Sequence, residues 1–455
     1  MVKKNQIIEM TIEDLGSDGE GIGRYNGYTL FVTGVLPGEI AEVKVIKAGK
    51  NYGYGKLIRL QKKSEARSDP ECPVYNRCGG CSLRHLKYES QLIYKTKRVS
   101  DALQRIGGIS IDAENCIGMS HPYHYRNKAQ LPAGIEKSQK TAAEPVFGFY
   151  AKRSHKVVPI PIVNCLINHP VNGQIVDAVK QFMQENNITV YDENAHSGIV
   201  RHLVVRVGFT SGEIMVCMVI NRQKLPDSAK LVEKLIKIPG MTSIVTSINP
   251  NRTNVIMGNK IDVLWGKDHI MDECMGLNFK ISPLSFFQIN PVQTAVLYAK
   301  VIDFLDISKE DIIVDAYCGI GTISLLLAQK AKKVYGIESV EAAVMDARYN
   351  AALNGITNAE FIHGAAENYL KKLYSGGSKP DKLVVDPPRK GCDKKLLDAV
   401  CGFKPRRIVY VSCDPATMAR DIKILRGSGY EVTKVAPVDC FAHSMHVECV
   451  ALLEE

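Results

Sequence analysis

From Lys4 to Leu60 apolar and polar positions alternate in short runs. The segments QIIEMTIEDLG, YTLFVTGVLPGEIAEVKVIKAG and YGYGKLIRLQ read as strands, because a period of two turns one face toward a core. Gly16, Gly19, Gly21, Gly23, Gly34 and Gly38 punctuate them, which predicts a small β-barrel with glycine turns. A basic stretch (Lys56, Arg59, Lys62, Lys63, Arg67) closes the segment. DPECPVYNRCGGCSLRHL follows, and then QLIYKTKRVSDALQRIGG, whose period is helical with lysines and arginines on the polar face. Between Ile117 and Asp272 the pattern is mixed α+β. One helix is clear from Pro170 to Asn186, and HLVVRVGF and EIMVCMVI read as adjacent strands. From Leu277 onward strands and helices alternate. IIVDAY, KVYGIES, KLVVDPP and RRIVYVSC are strands; TISLLLAQK, VEAAVMDARYNAALNG and TMARDIKIL are helices. That order predicts an α/β domain with a parallel sheet covered on both faces. The expected division is a barrel over 1–62, a central domain over 63–275 and a Rossmann-like domain over 276–455.

A chain of 455 residues suits two or three domains, and 45% hydrophobic residues supply their cores. The formal charge of +10 suits a polyanionic partner and says nothing about fold. The opening MVKKNQIIEM has no signal-peptide core, and the most apolar run, IIVDAYCGIGTISLLLA, is interrupted by Asp315. The expectation is a cytoplasmic protein without membrane contact, acting as a monomer. There the 13 cysteines stay reduced, so clustered ones point to metal binding or catalysis.

The strand IIVDAY runs into Ala316-Tyr317-Cys318-Gly319-Ile320-Gly321, and a helix opens at Thr322. Glycines after a strand let the backbone approach a ligand. The next strand ends in Glu338, where an acid chelates ribose hydroxyls in nucleoside sites. Two features favour S-adenosylmethionine over a dinucleotide. The loop carries Asp315 and only two glycines, where a pyrophosphate loop carries three, and a later strand ends in Asp386-Pro387-Pro388-Arg389 over the switch-point crevice.

RRIVYVSC delivers Cys413 to that same sheet edge. Carbon 5 of uracil attacks a sulfonium methyl only after a thiolate has added to carbon 6, and its proton must then leave to a base. Cys413 is the candidate nucleophile and Glu448, in FAHSMHVE, the candidate base. His443 and His446 are equally readable as orienting groups, phosphate contacts or plain loop histidines. Cys72, Cys78 and Cys81 have C-x5-C-x2-C spacing, with Cys165 in PIVNC as a fourth candidate. Four thiolates suit structural zinc or an iron–sulfur cluster, and spacing alone leaves both open. Arg77, Arg84, His85 and Lys87 are expected to form a basic rim for phosphates.

SFFQIN at 285–290, the AYCGIGT loop, DPPRKG, VSCDPATMARD and HSMHVE occur in the order seen in RNA uracil-5 methyltransferases. The chain resembles that family over its whole length, and most closely its 23S ribosomal RNA branch. The resemblance implies a Rossmann-like S-adenosylmethionine-dependent methyltransferase domain, an N-terminal OB-like TRAM barrel that binds RNA, and 5-methyluridine as product. It implies that Gln288, Tyr317, Thr322, Glu338 and Asp386 contact S-adenosylmethionine, and that Phe286 stacks on the target base. It further implies a [4Fe-4S] cluster on Cys72, Cys78, Cys81 and Cys165, structural or for RNA docking. Departures from the family pattern are mild: Ala442-His443-Ser444 stands where the final motif usually begins Pro-His-Thr, and Ala365 stands where some relatives place a polar cofactor contact. A transfer RNA target, a cytosine-5 target and a non-catalytic RNA-binding factor are the alternative readings.

Overall fold

A computed structural model describes residues 2–136, 144–160, 165–375 and 379–455. The strands β1 (Ile7–Leu15), β2 (Gly21–Tyr25), β3 (Tyr28–Thr33), β4 (Ile40–Ala48) and β5 (Tyr52–Lys62) close into a barrel in the order β1-β2-β3-β5-β4. Ile8, Met10 and Ile12 alternate inward from β1 to meet Leu30, Val32, Val43 and Val45. Gly21 and Gly23 lie within β2, not in turns as their spacing suggests. A Cβ on Gly23 would sit 2.3 Å from the Thr11 carbonyl, and one on Gly21 2.4 Å from Val35. Glycine there permits close backbone approach across the barrel.

Helix α1 (Tyr88–Ala102) continues through a π-helical turn and stops at Gly108 in the left-handed region. The polar face expected here is in part a buried face. Gln91, Lys95 and Val99, one turn apart, are all fully buried. Lys95 Nζ pairs with Asp439 Oδ1 at 2.5 Å, both side chains wholly enclosed. Removing one partner of such a pair leaves a naked buried charge, costing about 3–5 kcal/mol. The segment after α1 is tacked to the C-terminal domain: Ile117 N donates to Pro437 O and Asp439 N to Ile117 O. Residues 88–119 therefore belong in space to the C-terminal domain, although in sequence they fall within the expected central one.

The central domain contains β6 (Lys128–Glu136), β7 (Glu144–Tyr150), β8 (Val157–Pro159), α2 (Val171–Glu185), β9 (Val200–Val207), β10 (Ile214–Ile220), α3 (Ser228–Leu235), β11 (Met241–Ile248) and β12 (Lys260–Gly266). Its sheet runs β12-β11-β10-β9-β6-β7-β8. β9 and β10 are buried at every position. Val179, Phe182, Leu231 and Leu235 from α2 and α3 cover one face. Ile256, Met257 and Ile261 cover Val204, Cys217 and Val219 on the other.

The hairpin β13 (Ile270–Cys274) and β14 (Leu277–Ile281) leads to α4 (Pro291–Leu305) and then to β15 (Ile312–Ala316), α5 (Thr322–Ala328), β16 (Lys333–Glu338), α6 (Glu341–Leu353), β17 (Ala359–His363), α7 (Ala366–Ser375), β18 (Lys382–Val385), α8 (Lys394–Phe403), β19 (Arg407–Ser412), α9 (Pro415–Arg426), β20 (Glu431–Val438) and β21 (Glu448–Glu454). The sheet order is β17-β16-β15-β18-β19-β21-β20, parallel up to β19, with β21 antiparallel to both its neighbours. The chain leaves β15 toward one edge and returns at β18 on its other side. That reversal opens a crevice at the carboxyl ends of β15 and β18. Among the described residues no helix is long and apolar enough to cross a membrane.

Candidate active site

The crevice begins where β15 ends. Tyr317, Gly319 and Gly321 all take positive φ, and the Tyr317 and Cys318 amides both donate to Ile337 O at 3.0 Å. A Cβ on Gly321 would lie 2.9 Å from the Phe361 ring, so the loop folds tightly onto β17. Gly319 N donates to Glu338 Oε2 at 3.2 Å, which fastens the acid at the tip of β16 to the loop. Val340 N and Ser339 Oγ donate to the other carboxylate oxygen. Thr322 opens α5, and its hydroxyl meets Tyr298 Oη at 3.3 Å. Gln288 is buried, its carbonyl held by Asn127 Nδ2 at 2.8 Å.

Acids crowd this crevice. Asp315 accepts from Ser324 Oγ at 2.6 Å through one carboxylate oxygen, while the other is buried without a partner. Burial, then Asp386 and Glu338, push its carboxyl up to about 7. Burial pushes Asp386 up to about 6. Such a site penalises further negative charge and rewards a cation. A sulfonium with an ammonium group fits it; a pyrophosphate does not.

β19 delivers Cys413. Ser412 Oγ accepts from Asp414 N and donates to Asp414 O, both at 3.0 Å. Asp414 then caps α9 through Ala416 N and Thr417 N. Burial, and after it Glu448, push the Cys413 thiol up to about 11, while Arg389 opposes them. Glu448 opens β21, where the next residue, Cys449, pairs with Ser412. The register thus brings Glu448, on β21, beside Cys413, which follows β19. Glu448 is 3% exposed. Burial and then Asp386 push its carboxyl up to about 8, again opposed by Arg389. The cation that faces both groups was overlooked in the sequence, although it closes the DPPR motif.

Phe286 is 68% exposed, while its neighbour Phe287 is buried against Phe279. Arg206 donates to Pro283 O and Ser285 O, and Ser285 Oγ donates to Asp346 at 2.9 Å. An anchored loop therefore presents a free aromatic face. His443 is no phosphate contact: it is buried, its Nε2 meets Pro122 O at 3.1 Å, and burial holds its ring neutral. His446 is exposed, edge-on to Phe441.

Cys72, Cys78, Cys81 and Cys165 are half-buried free thiols whose charges act on one another. Residues 161–164, which precede Cys165, lie outside the described residues. Arg84 donates to Cys81, Arg126 adds its charge there, and Lys152 faces Cys81 and Cys78. The Nε atoms of Arg84 and Arg126 are buried without partners. Among the described residues no three His, Cys, Asp or Glu side chains converge closely enough to hold a single metal ion. The basic rim is narrower than expected. Arg84 and His85 are buried, with Arg84 over the Tyr123 ring and His85 bonded to Tyr75, which leaves Arg77 and Lys87 exposed.

Residues 87–455 match the family model of tRNA (uracil-5-)-methyltransferases and residues 2–58 that of the TRAM domain. A protein named "Uncharacterized RNA methyltransferase" from Clostridium tetani is 46% identical, covering 99% of this chain and 97% of its own. A similarly named protein from Halalkalibacterium halodurans is also 46% identical, covering 100% and 98%. Among solved structures, the Pyrococcus abyssi tRNA (uracil-54, C5)-methyltransferase in complex with S-adenosyl-L-homocysteine superposes with a TM-score of 0.78 at 30% identity, covering 98% of this chain and 99% of that one.

Proposed function

The chain belongs to the tRNA (uracil-5-)-methyltransferase family of RNA methyltransferases, with a TRAM domain at its N-terminal end, and on that premise we propose that it methylates carbon 5 of uridine in 23S ribosomal RNA through a covalent Cys413 adduct. The observation that carries the chemistry is the placement of Cys413, Glu448, Asp386 and Arg389 about one crevice.

Phe286 stacks on the target base. Cys413 gives up its proton to solvent, the thiolate Sγ bonds to carbon 6, the C5–C6 π pair becomes a C4–C5 double bond, and the C4 oxygen takes the carbonyl pair as an enolate. Gln288, Tyr317, Thr322, Glu338 and Asp386 would hold S-adenosylmethionine, which would supply the methyl group to carbon 5 and leave as S-adenosylhomocysteine. Glu448 then accepts the carbon 5 proton, the C5–C6 double bond re-forms, and Sγ leaves with its electron pair. Burial favours the protonated forms of the Cys413 thiol and the Glu448 carboxyl. A bound sulfonium adds positive charge to that of Arg389 and favours the ionised forms the reaction needs.

The cysteine quartet takes a [4Fe-4S] cluster. The four thiols act on one another electrostatically, and the two unpartnered guanidinium nitrogens beside them suit an anionic group. The cluster supplies no step of methyl transfer. Ribosomal RNA is favoured by the TRAM barrel joined to this cluster. The transfer RNA reading rests on the superposition with the Pyrococcus abyssi enzyme.

Mass-spectrometric mapping of 5-methyluridine in ribosomal and transfer RNA, with and without the gene, tests the assignment. Loss of a 23S mark, restored by the intact chain and not by Cys413→Ala, is the expected result. Loss of a transfer RNA mark instead transfers the assignment, and a mark lost from cytosine overturns the uracil chemistry.

A further inference from the structure

The loop 439–447 joins β20 to β21 and ends on Glu448. Asn290 and Gln293 at the start of α4 donate to Cys440 O and Asp439 O, Tyr125 Oη donates to Ala442 O, and three further elements outside the Rossmann-like sheet fasten it. The cysteine segment reaches it first. Ser82 N and Leu83 N both donate to His443 O, at 3.0 and 2.9 Å, and Met445 N donates to Ser82 Oγ at 3.3 Å. Helix α1 reaches it second. His443 N donates to Gln91 Oε1 at 2.9 Å, Lys95 holds Asp439 and Phe441 O, and Arg98 donates to Met445 O. The barrel reaches it third. Gly19, at φ 86°, packs so closely that a Cβ there would meet Leu83, Met445 and Ser82 at 3.2–3.3 Å.

Gln91 is the keystone of this junction. It is fully buried, and its Nε2 donates to Leu83 O and Leu86 O at 3.2 and 2.8 Å while its Oε1 takes the His443 amide. One amide thus ties the segment that carries Cys81 to the loop that carries Glu448. His443 sits at φ 64°, a conformation that a non-glycine residue holds only when its surroundings enforce it.

We infer that Gln91 is a positioning residue for the proton-abstraction step, and that the barrel and the cysteine segment act through it as a clamp on the base. The inference rests on the reading of Glu448 as that base. A base loosened by an ångström loses on the order of 100-fold in rate. Cys413 follows β19, and Tyr317, Thr322, Glu338 and Asp386 stand near β15, β16 and β18, away from the clamp; Gln288 alone shares a segment with Asn290, which donates to Cys440 O. Loosening the loop therefore slows adduct breakdown and leaves adduct formation intact.

The test uses the full chain with S-adenosylmethionine and uridine-containing RNA, comparing Gln91→Ala, Ser82→Ala and Glu448→Gln. Gln91→Ala is expected to bind S-adenosylmethionine as the parent does, to turn over 10- to 100-fold more slowly, and to accumulate the methylated protein–RNA adduct on a denaturing gel. Ser82→Ala is expected to do the same to a smaller degree, and it decides the matter if Gln91→Ala does not fold. Faster hydrogen exchange at the amides of 443–446, measured without RNA, is expected in both. Adduct with Glu448→Gln but none with a folded Gln91→Ala or Ser82→Ala overturns the clamp. No adduct with Glu448→Gln overturns the assignment of the base itself.

Discussion

The catalytic crevice and the cysteine pocket are electrostatic opposites. In the crevice Asp315, Asp386 and Glu448 are all held above the usual carboxylate range, and one Asp315 oxygen lacks a donor. In the cysteine pocket the surplus is cationic: Arg84, Arg126 and Lys152 surround the thiols, and two guanidinium nitrogens lack an acceptor. Each pocket is incomplete in the sense opposite to its own charge. Buried polar groups go unpaired at a cost of about 1–3 kcal/mol each, so their unspent hydrogen bonds mark where a ligand gains most. The first suits a cation such as a sulfonium, the second an anion.

The largest effect that would break this contrast is expected at Cys413. Cys413→Ala should lower methyl transfer by roughly 10⁴-fold or more while keeping S-adenosylmethionine affinity, because only the covalent route is lost. Calorimetry and single-turnover assays measure the two, and parent-like turnover would remove the thiol from the mechanism. Glu448→Gln should cost on the order of 10²–10⁴-fold in turnover and build up the adduct. Cys81→Ser should abolish the iron and sulfide content of the purified protein and leave S-adenosylmethionine binding intact. Full iron content in that variant would remove the cysteines as ligands. Phe286→Ala should raise the KM for RNA about 10-fold, one stacking contact being worth about 1–3 kcal/mol.

The smallest effect concerns pH. A buried carboxyl with a raised pKa binds its proton more tightly folded than unfolded, so its contribution to stability is greatest below the unfolded value, about 3.8 for Asp315 and 4.5 for Glu448, and falls as pH rises toward 7 or 8. The empty protein should lose thermal stability across that window. Asp315→Asn should flatten the loss, and saturating S-adenosylmethionine should reverse part of it. A melting temperature independent of pH between 5 and 8 would show that these carboxyls are not strained.

Much of the catalytic domain was legible because its signals are local. The strands that end at Ala316, Glu338, Val385 and Ser412 stand where the apolar runs put them, and the motifs follow directly after them. In an α/β sheet, chain order and the rule that ligands gather at strand carboxyl ends already bring such residues together. Arg389 escaped notice because a charged residue after two prolines reads as solvated turn, and only the fold brings its charge to bear on Cys413 and Glu448.

By itself the sequence determined the barrel, the Rossmann-like alternation and the order of the motifs along the catalytic sheet edge, since each follows from periodicity or from residues close in the chain. Only the tertiary structure decided which polar residues are interior. Gln91 and Lys95 have the spacing of a solvated helix face, and Arg84 and His85 that of a basic rim. All four are buried because their partners (His443, Asp439, Cys81 and Tyr75) include groups some 350 positions away in the chain. Burial of a polar group is favourable only when a partner meets it, and the partner's arrival is a property of the fold, not of the local pattern.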